Sequence, residues 1–157
     1  MAAKTNAARL LDRLGIRHEI HSYRPDAEDL SAERLARELS MPPERIFKTI
    51  VLRGDRTGPL FAVLPVAGKL DLKALARLAG DKGVEVVPLK EVQPLTGYVR
   101  GAVTALASRK ELPVFLDESA LLHDAIGVSA GVLGGELVLA PADYLRATRG
   151  VAGPIAG

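Results

Sequence analysis

An apolar run with one lysine inside it occupies positions 46–52 and reads Ile46-Phe47-Lys48-Thr49-Ile50-Val51-Leu52. Because successive side chains of a strand point to opposite faces, the even-numbered residues would share one face and the odd-numbered residues the other. Both faces are otherwise apolar, which predicts a strand that is covered on both sides. An ammonium group in such a strand is costly unless it is paired or reaches a wet cleft. Lys48 is therefore either a lysine near the strand start whose stem reaches solvent or a functional residue.

A second apolar run follows after a turn that contains two glycines, and the two runs predict an antiparallel hairpin. With Arg53 placed opposite Leu60, Lys48 falls opposite Pro65. Proline cannot donate a hydrogen bond to the ladder, so strand pairing should end there. This register places Lys48 at the open end of the hairpin, beside the loop at 65–68, and favours a lysine that faces a cleft.

Short helices and strands follow one another without strict alternation in the rest of the chain. Apolar periodicity and capping residues predict helices at 4–15, from Ser31 to the prolines at 42–43, from Asp71 to Gly80, and at 89–95, 118–123 and 143–149. Apolar segments predict further strands at 17–23, 84–87, 114–117, 126–129 and 136–139. The glycine-, alanine- and proline-rich residues that follow are predicted to be mobile. We therefore predict one α+β (mixed α/β) domain over residues 1–157, with a mixed, mostly antiparallel sheet or partial barrel flanked by helices.

The composition of the chain narrows the classes of function. There is no cysteine, which excludes disulfides, thiolate metal sites and a cysteine nucleophile. The net charge of +2 and a pI near 9.0 permit contact with nucleic acid without arguing for it. Aromatic residues make up only 4% of the chain, so a stacking platform for RNA bases is not expected. No apolar run is long enough for a transmembrane helix, so no membrane partner is expected.

The residues Gly127-Val128-Ser129-Ala130-Gly131 match the pattern G-x-S-x-G of a serine nucleophile. That mechanism requires a histidine later in the chain, whereas His18, His21 and His123 all precede Ser129. The same segment lacks the lysine of a phosphate-binding loop, so a glycine-rich turn is favoured. His18 and His21 stand three residues apart on a predicted strand, which puts their side chains on opposite faces and argues against a metal site.

A second glycine-flanked segment is more suggestive of a ligand pocket. Tyr98 and Arg100 lie between Gly97 and Gly101. Glycine allows close approach of the backbone to a ligand, so this segment is a candidate for the lining of a pocket.

Six short motifs occur in a fixed order between Lys4 and about Leu145. They are Ile20-His21-Ser22-Tyr23, Ile46-Phe47-Lys48-Thr49-Ile50, Pro65-Val66-Ala67-Gly68-Lys69-Leu70-Asp71-Leu72-Lys73, Thr96-Gly97-Tyr98-Val99-Arg100-Gly101, Val128-Ser129-Ala130-Gly131 and Glu136-Leu137-Val138-Leu139. In order and spacing they resemble the YbaK family of trans-editing aminoacyl-tRNA deacylases. That family is related to the editing insertion domain of bacterial prolyl-tRNA synthetases.

The resemblance implies a site and its partners. The lysine of the family's F/Y-K-T motif is the key active-site residue, which makes Lys48 the candidate catalytic residue. The candidates for substrate binding are Tyr23, Thr49, Gly68, Gly101, Ser129 and Gly131, with backbone N–H groups near Gly101 and Gly131 as candidates for stabilising an oxyanion. The family implies no cofactor and no metal. It implies a cytoplasmic enzyme whose partner is the acceptor end of misacylated tRNA, with prolyl-tRNA synthetase as a candidate second partner.

The implied reaction is hydrolysis or substrate-assisted cleavage of misacylated tRNA, foremost Cys-tRNA(Pro). In the Cys case the thiol of the substrate attacks its own carbonyl, whereas Ala- or Ser-tRNA would require water. Three alternatives stay open: an Ala- or Ser-tRNA deacylase of the same family, a non-catalytic module that binds aminoacyl-RNA or a synthetase, and an esterase that acts through Ser129. The chain departs from the family at 101–105, at Val132-Leu133, and at 30–32, where an aromatic pocket residue has no match. These departures bear on the amino acid that is removed.

Overall fold

The computed structural model describes residues 4–26, 28–29 and 31–157. Its helices are α1 (Asn6–Arg13), α2 (Ala32–Leu39), α3 (Leu72–Ala79), α4 (Leu89–Thr96) and α5 (Pro141–Thr148). Its strands are β1 (Glu19–Ser22), β2 (Phe47–Gly54), β3 (Gly58–Pro65), β4 (Val84–Val86), β5 (Val114–Asp117), β6 (Ile126–Ser129), β7 (Gly135–Leu139) and β8 (Val151–Gly153). Two 3₁₀ turns lie at Pro43–Arg45 and Glu118–Leu122. No helix in these described ranges has the length and apolar character to cross a bilayer.

The strands form two sheets. The larger has the order β4-β2-β3-β5-β8, and the smaller has the order β1-β7-β6. Pairing is parallel between β3 and β5 and between β5 and β8, and antiparallel elsewhere within the sheets. A single parallel bridge, between Ile46 and Gly127, joins the two sheets in the described part of the chain. The mixed α+β architecture predicted from the sequence is confirmed.

Strand β2 lies at the centre of this arrangement, with both of its faces covered. Phe47 and Val51 point into the main core, whereas Leu52 on the other face packs in a second cluster with Leu75 of α3. All four are at most 4% exposed. Burying an aliphatic or aromatic side chain of this size stabilises a fold by about 1.5–3 kcal/mol. The prediction of a strand buried on both faces is confirmed.

The register predicted for the hairpin is wrong by one residue. Arg53 lies opposite Pro59 and Lys48 lies opposite Leu64, so that the ladder continues to Phe47 and Pro65. The turn is tighter than the sequence suggested because a distant carboxylate holds it. Asp81 Oδ1 accepts hydrogen bonds from the N–H groups of Arg56 and Thr57, both at 2.9 Å, and Oδ2 accepts from the Thr57 hydroxyl at 2.7 Å.

The prediction that the residues after Arg149 are mobile is also wrong. Residues 151–153 form β8 and pair in parallel with β5. Beyond them, Ile155 is fully buried, and the N–H groups of Ile155 and Ala156 both donate to Asp117 Oδ1 at 3.0 Å. A buried carboxylate and an apolar anchor order this segment, and neither is evident from its glycine- and proline-rich composition.

One edge of β2 pairs with β3. The other edge, called the outer edge below, has different neighbours at its two ends. Leu52 and the next two residues pair with β4. At the other end, the Ile46–Gly127 bridge brings β6 alongside. Between these two contacts no described strand pairs with the outer edge of β2, and a cavity opens along this stretch.

Candidate functional site

A cavity of about 590 Å³ lies along this edge. Six consecutive residues, 46–51, line it, because within the described residues the outer edge of β2 has no strand partner along most of this stretch. The lining consists of Tyr23, Leu35, Ile46, Phe47, Lys48, Thr49, Ile50, Val51, Val66, Val86, Val87, Leu89, Val92, Arg100, Gly101, Val103, Ser129 and Glu136. Most of these side chains are apolar, so the few polar ones stand out.

Lys48 reaches from β2 to the loop that follows β3. Its Nζ donates to the carbonyl oxygen of Gly68 at 2.9 Å, and the loop is itself closed by a bond from Gly68 N–H to Pro65 O at 2.9 Å. Partial burial lowers the pKa of the Lys48 ammonium group. No carboxylate in the described ranges forms an ion pair with it. An ammonium has three N–H donors, so this arrangement leaves donors for a ligand in the cavity.

Glu136 is a second ionisable group in the cavity, and it was not among the predicted site residues. It lies on β7 opposite Ser129 and is only 4% exposed. Burial raises the pKa of its carboxyl group to about 8. Gly127 makes room for it, because a Cβ at that position would lie 3.1 Å from Glu136 Oε2. The signal that singled out Lys48, one charge in an apolar strand, would also have found Glu136.

The raised pKa of Glu136 predicts a pH dependence of stability. Between about 4.5 and about 8 the folded protein holds this proton and the unfolded chain does not, so the free energy of unfolding should fall as the pH rises through that window. The Glu136→Gln variant should lack this part of the slope, a difference on the order of a few kcal/mol across the window. Urea unfolding of both proteins at several pH values measures it, and equal slopes would contradict the assignment.

Three predicted side chains have different positions around the cavity. Tyr23 lines it near Glu136: burial raises the pKa of its hydroxyl and the charge of Glu136 raises it further. The side chain of Ser129 shares the face of Glu136. Thr49 points its side chain the other way, towards the buried Tyr144. Both hydroxyls are buried, and neither makes a hydrogen bond of acceptable geometry within the described residues. Thr49 therefore meets the cavity without its hydroxyl.

The predicted glycines divide into two groups. Gly101 lines the cavity, and Gly68 supplies the acceptor for Lys48. Gly131 lies behind the wall instead: its φ is +89°, and a Cβ there would lie 2.8 Å from the Tyr98 ring. Its N–H donates to Ser129 Oγ at 3.1 Å. The predicted use of this N–H for an oxyanion would therefore require that bond to break.

The segment between Gly97 and Gly101 contributes to the mouth of the cavity. Arg100 is exposed and lies at the lining, where a guanidinium group can bind a phosphate. Tyr98 is fixed away from the opening, because its hydroxyl donates to the carbonyl oxygen of Leu106 at 2.7 Å. The site therefore combines a cation at its mouth, an ammonium group inside, a buried acid and apolar walls.

The sequence of this chain is similar to those of known proteins. A family model described as "Aminoacyl-tRNA editing domain" matches residues 26–147. The chain is 40% identical over 147 residues to a protein of Enterococcus faecalis (strain ATCC 700802 / V583) named "Putative Cys-tRNA(Pro)/Cys-tRNA(Cys) deacylase EbsC", with 94% of this chain and 90% of that protein covered.

Solved structures share the fold. One described as "Crystal structure of a putative trans-editing enzyme for prolyl tRNA synthetase" superposes with a TM-score of 0.82 at 22% identity and covers 99% of each chain. A crystal structure of a hypothetical protein superposes with a TM-score of 0.87 at 21% identity, covering 98% of this chain and all of that one.

Proposed function

The chain belongs to the aminoacyl-tRNA editing domain family, and we propose that it deacylates misacylated tRNA in trans, with Cys-tRNA(Pro) as its preferred substrate. The observation that carries this proposal is that one apolar cavity of about 590 Å³ holds both Lys48 and the buried carboxyl group of Glu136. This volume is in the range of small-molecule sites. The cavity can therefore take an aminoacyl group and its terminal nucleoside, while the rest of the tRNA stays outside.

The residues of the cavity suit an ester that is already activated. Such a substrate needs orientation and electrostatic stabilisation more than a strong nucleophile. Lys48 holds the ester carbonyl or the terminal ribose and phosphate, and it acts in its protonated form. For a cysteinyl ester, the thiol sulfur bonds to the carbonyl carbon, the ester oxygen leaves as the tRNA hydroxyl, and the thiol proton passes to that oxygen.

Glu136 gives the cavity a way to select aminoacyl esters. Every aminoacyl ester carries an α-ammonium group next to the carbonyl. An incoming ammonium favours the ionised carboxylate, so binding lowers the raised pKa of Glu136 and forms a charge-assisted hydrogen bond in a dry site. Tyr23 lines the cavity near Glu136.

A panel of Cys-, Ala- and Ser-tRNA(Pro) tests the function. We expect the protein to release cysteine faster than buffer alone and faster than it releases alanine or serine, because the cysteine thiol supplies its own nucleophile. The measurement is the loss of labelled aminoacyl-tRNA with time. If no ester of the panel decays faster than in buffer, the deacylase function is wrong, and saturable binding without turnover would indicate a binding module instead.

We further propose prolyl-tRNA synthetase as a partner, since it produces the substrate. We also propose that the protein acts in the cytoplasm as a single-domain enzyme. If the two proteins cooperate, adding the synthetase to the assay should raise the rate of Cys-tRNA(Pro) deacylation. An unchanged rate at saturating synthetase would argue that the released tRNA is the substrate.

A further inference from the structure

We propose that the main chain of β2 and β6 holds the aminoacyl ester, with Thr49 N–H donating to the ester carbonyl oxygen and the Ser129 carbonyl accepting from the α-ammonium. This inference rests on the proposed deacylase function and deepens it. The substrate would lie between β2 and β6 and would be hydrogen-bonded like one residue of an added strand.

The backbone groups of β2 point alternately towards β3 and towards the outer edge. Ile46 O accepts from Val66 N at 2.8 Å, which points the backbone of Ile46 towards β3. Val51 O accepts from Val87 N at 3.1 Å, which points the backbone of Val51 towards the outer edge. Backbone groups alternate between the two edges along a strand, so Thr49 also presents its N–H and C=O to the outer edge. That edge lines the cavity.

Strand β6 lies on the other side of the cavity. Ala130 N donates to Gly135 O at 3.0 Å, so the backbone of Ala130 points towards β7. By the same alternation, the backbone groups of Ser129 point away from β7 and towards β2. The two segments are bridged between Ile46, just before β2, and Gly127 of β6. Past this bridge, the edges of Thr49 and Ser129 face each other across the cavity.

The gap between these two strands matches the substrate chemically. An aminoacyl ester carries a donor, the α-ammonium, and an acceptor, the carbonyl oxygen, on either side of one Cα. A residue in a β-strand presents the same pattern, and strand edges bind such groups by adding a strand. Ile46 and Val138 pack in one cluster, so Lys48 and Glu136, each two residues away, lie on the same side of the gap. The two side chains would then flank a substrate that is held by the backbone.

This arrangement explains why Thr49 meets the cavity without its hydroxyl, which points towards Tyr144. A backbone N–H that is fixed in a ladder keeps its direction during the reaction, so it costs no reorganisation when charge develops on the carbonyl oxygen. Such a donor is indifferent to the side chain at position 49. It would serve any aminoacyl ester, and the apolar walls would then distinguish the acyl groups.

The test replaces single backbone amides by esters, using an α-hydroxy acid at one position. At position 49 the ester removes the N–H at the outer edge, and we expect kcat/KM for the best substrate of the panel to fall at least about tenfold with little change in Tm. At position 50 the ester removes an N–H that points towards β3, and we expect a lower Tm with kcat/KM preserved.

The outcomes separate the two proposals. If the wild-type protein is active and the position-49 ester variant is equally active, the backbone-binding inference is wrong and the deacylase function stands. Wild-type protein without turnover would refute the function itself. Equal losses of activity in the two ester variants would also overturn the inference, because they would indicate general damage to β2.

Discussion

Replacing Lys48 by alanine should lower kcat/KM for deacylation by about 10²–10³-fold, the loss typical of a preorganised donor to a developing negative charge. The ammonium lies in an apolar cavity, where its electrostatic effect is larger than in water. Its bond to Gly68 O at 2.9 Å fixes its direction before the substrate arrives. The measurement is the initial rate of Cys-tRNA(Pro) deacylation at subsaturating substrate.

The controls for this prediction separate charge from folding. Lys48→Met keeps most of the apolar stem and should lose as much activity as the alanine variant. Lys69→Ala removes an exposed lysine from the neighbouring loop and should leave the rate unchanged. The Tm of the Lys48 variants should stay close to that of the wild type, because removal of a partly buried ammonium also removes its desolvation cost. A fully active Lys48→Ala protein would exclude Lys48 from the mechanism.

Replacing Glu136 by glutamine should lower kcat/KM about 10–100-fold, which corresponds to the loss of one hydrogen bond to a charged group, about 1.5–3 kcal/mol. The physical reason is the α-ammonium of the substrate, which would meet a neutral amide instead of a carboxylate. N-acetylated cysteinyl-tRNA has no ammonium, so its slower hydrolysis should be insensitive to the substitution. The measurement is kcat/KM for both substrates with the wild type and with Glu136→Gln, analysed in the manner of a double-mutant cycle.

An exposed carboxylate provides the matched control. Glu85→Gln on β4 makes the same chemical change outside the cavity and should leave both substrates unaffected. If the N-acetylated substrate loses as much rate as the free one in Glu136→Gln, the carboxyl group does not bind the ammonium, and Glu136 would act on the cavity as a whole.

The sequence was sufficient to find β2 and its lysine, because both depend on a local pattern. Residue alternation gave the two covered faces, and a charge among apolar residues marked Lys48. The N-caps Ser31 and Asp71 are also local features, and both begin helices as predicted, each accepting a backbone N–H from the residue three positions later. Motif order then indicated the family before any geometry was available.

The errors arose where distant residues decide the local structure. The hairpin register depends on Asp81, which lies more than twenty positions beyond the turn it holds. The order of the final residues depends on Asp117, almost forty positions earlier. Glu136 stands out in the sequence as one charge in an apolar strand, but its position in the cavity with Lys48 depends on the packing of β6 and β7 beside β2, which no spacing within the sequence expresses.

The ordered end of the chain also has a consequence for the position of the lysine. Gly157 N donates to Lys69 O at 2.9 Å, Asp71 N donates to Ile155 O at 2.7 Å, and Ala156 bridges Leu70. These contacts brace the loop whose Gly68 carbonyl receives the lysine. Residues 155–157 thus support the loop that holds Lys48. Deleting them should weaken the contact that orients the lysine, although none of them lines the cavity.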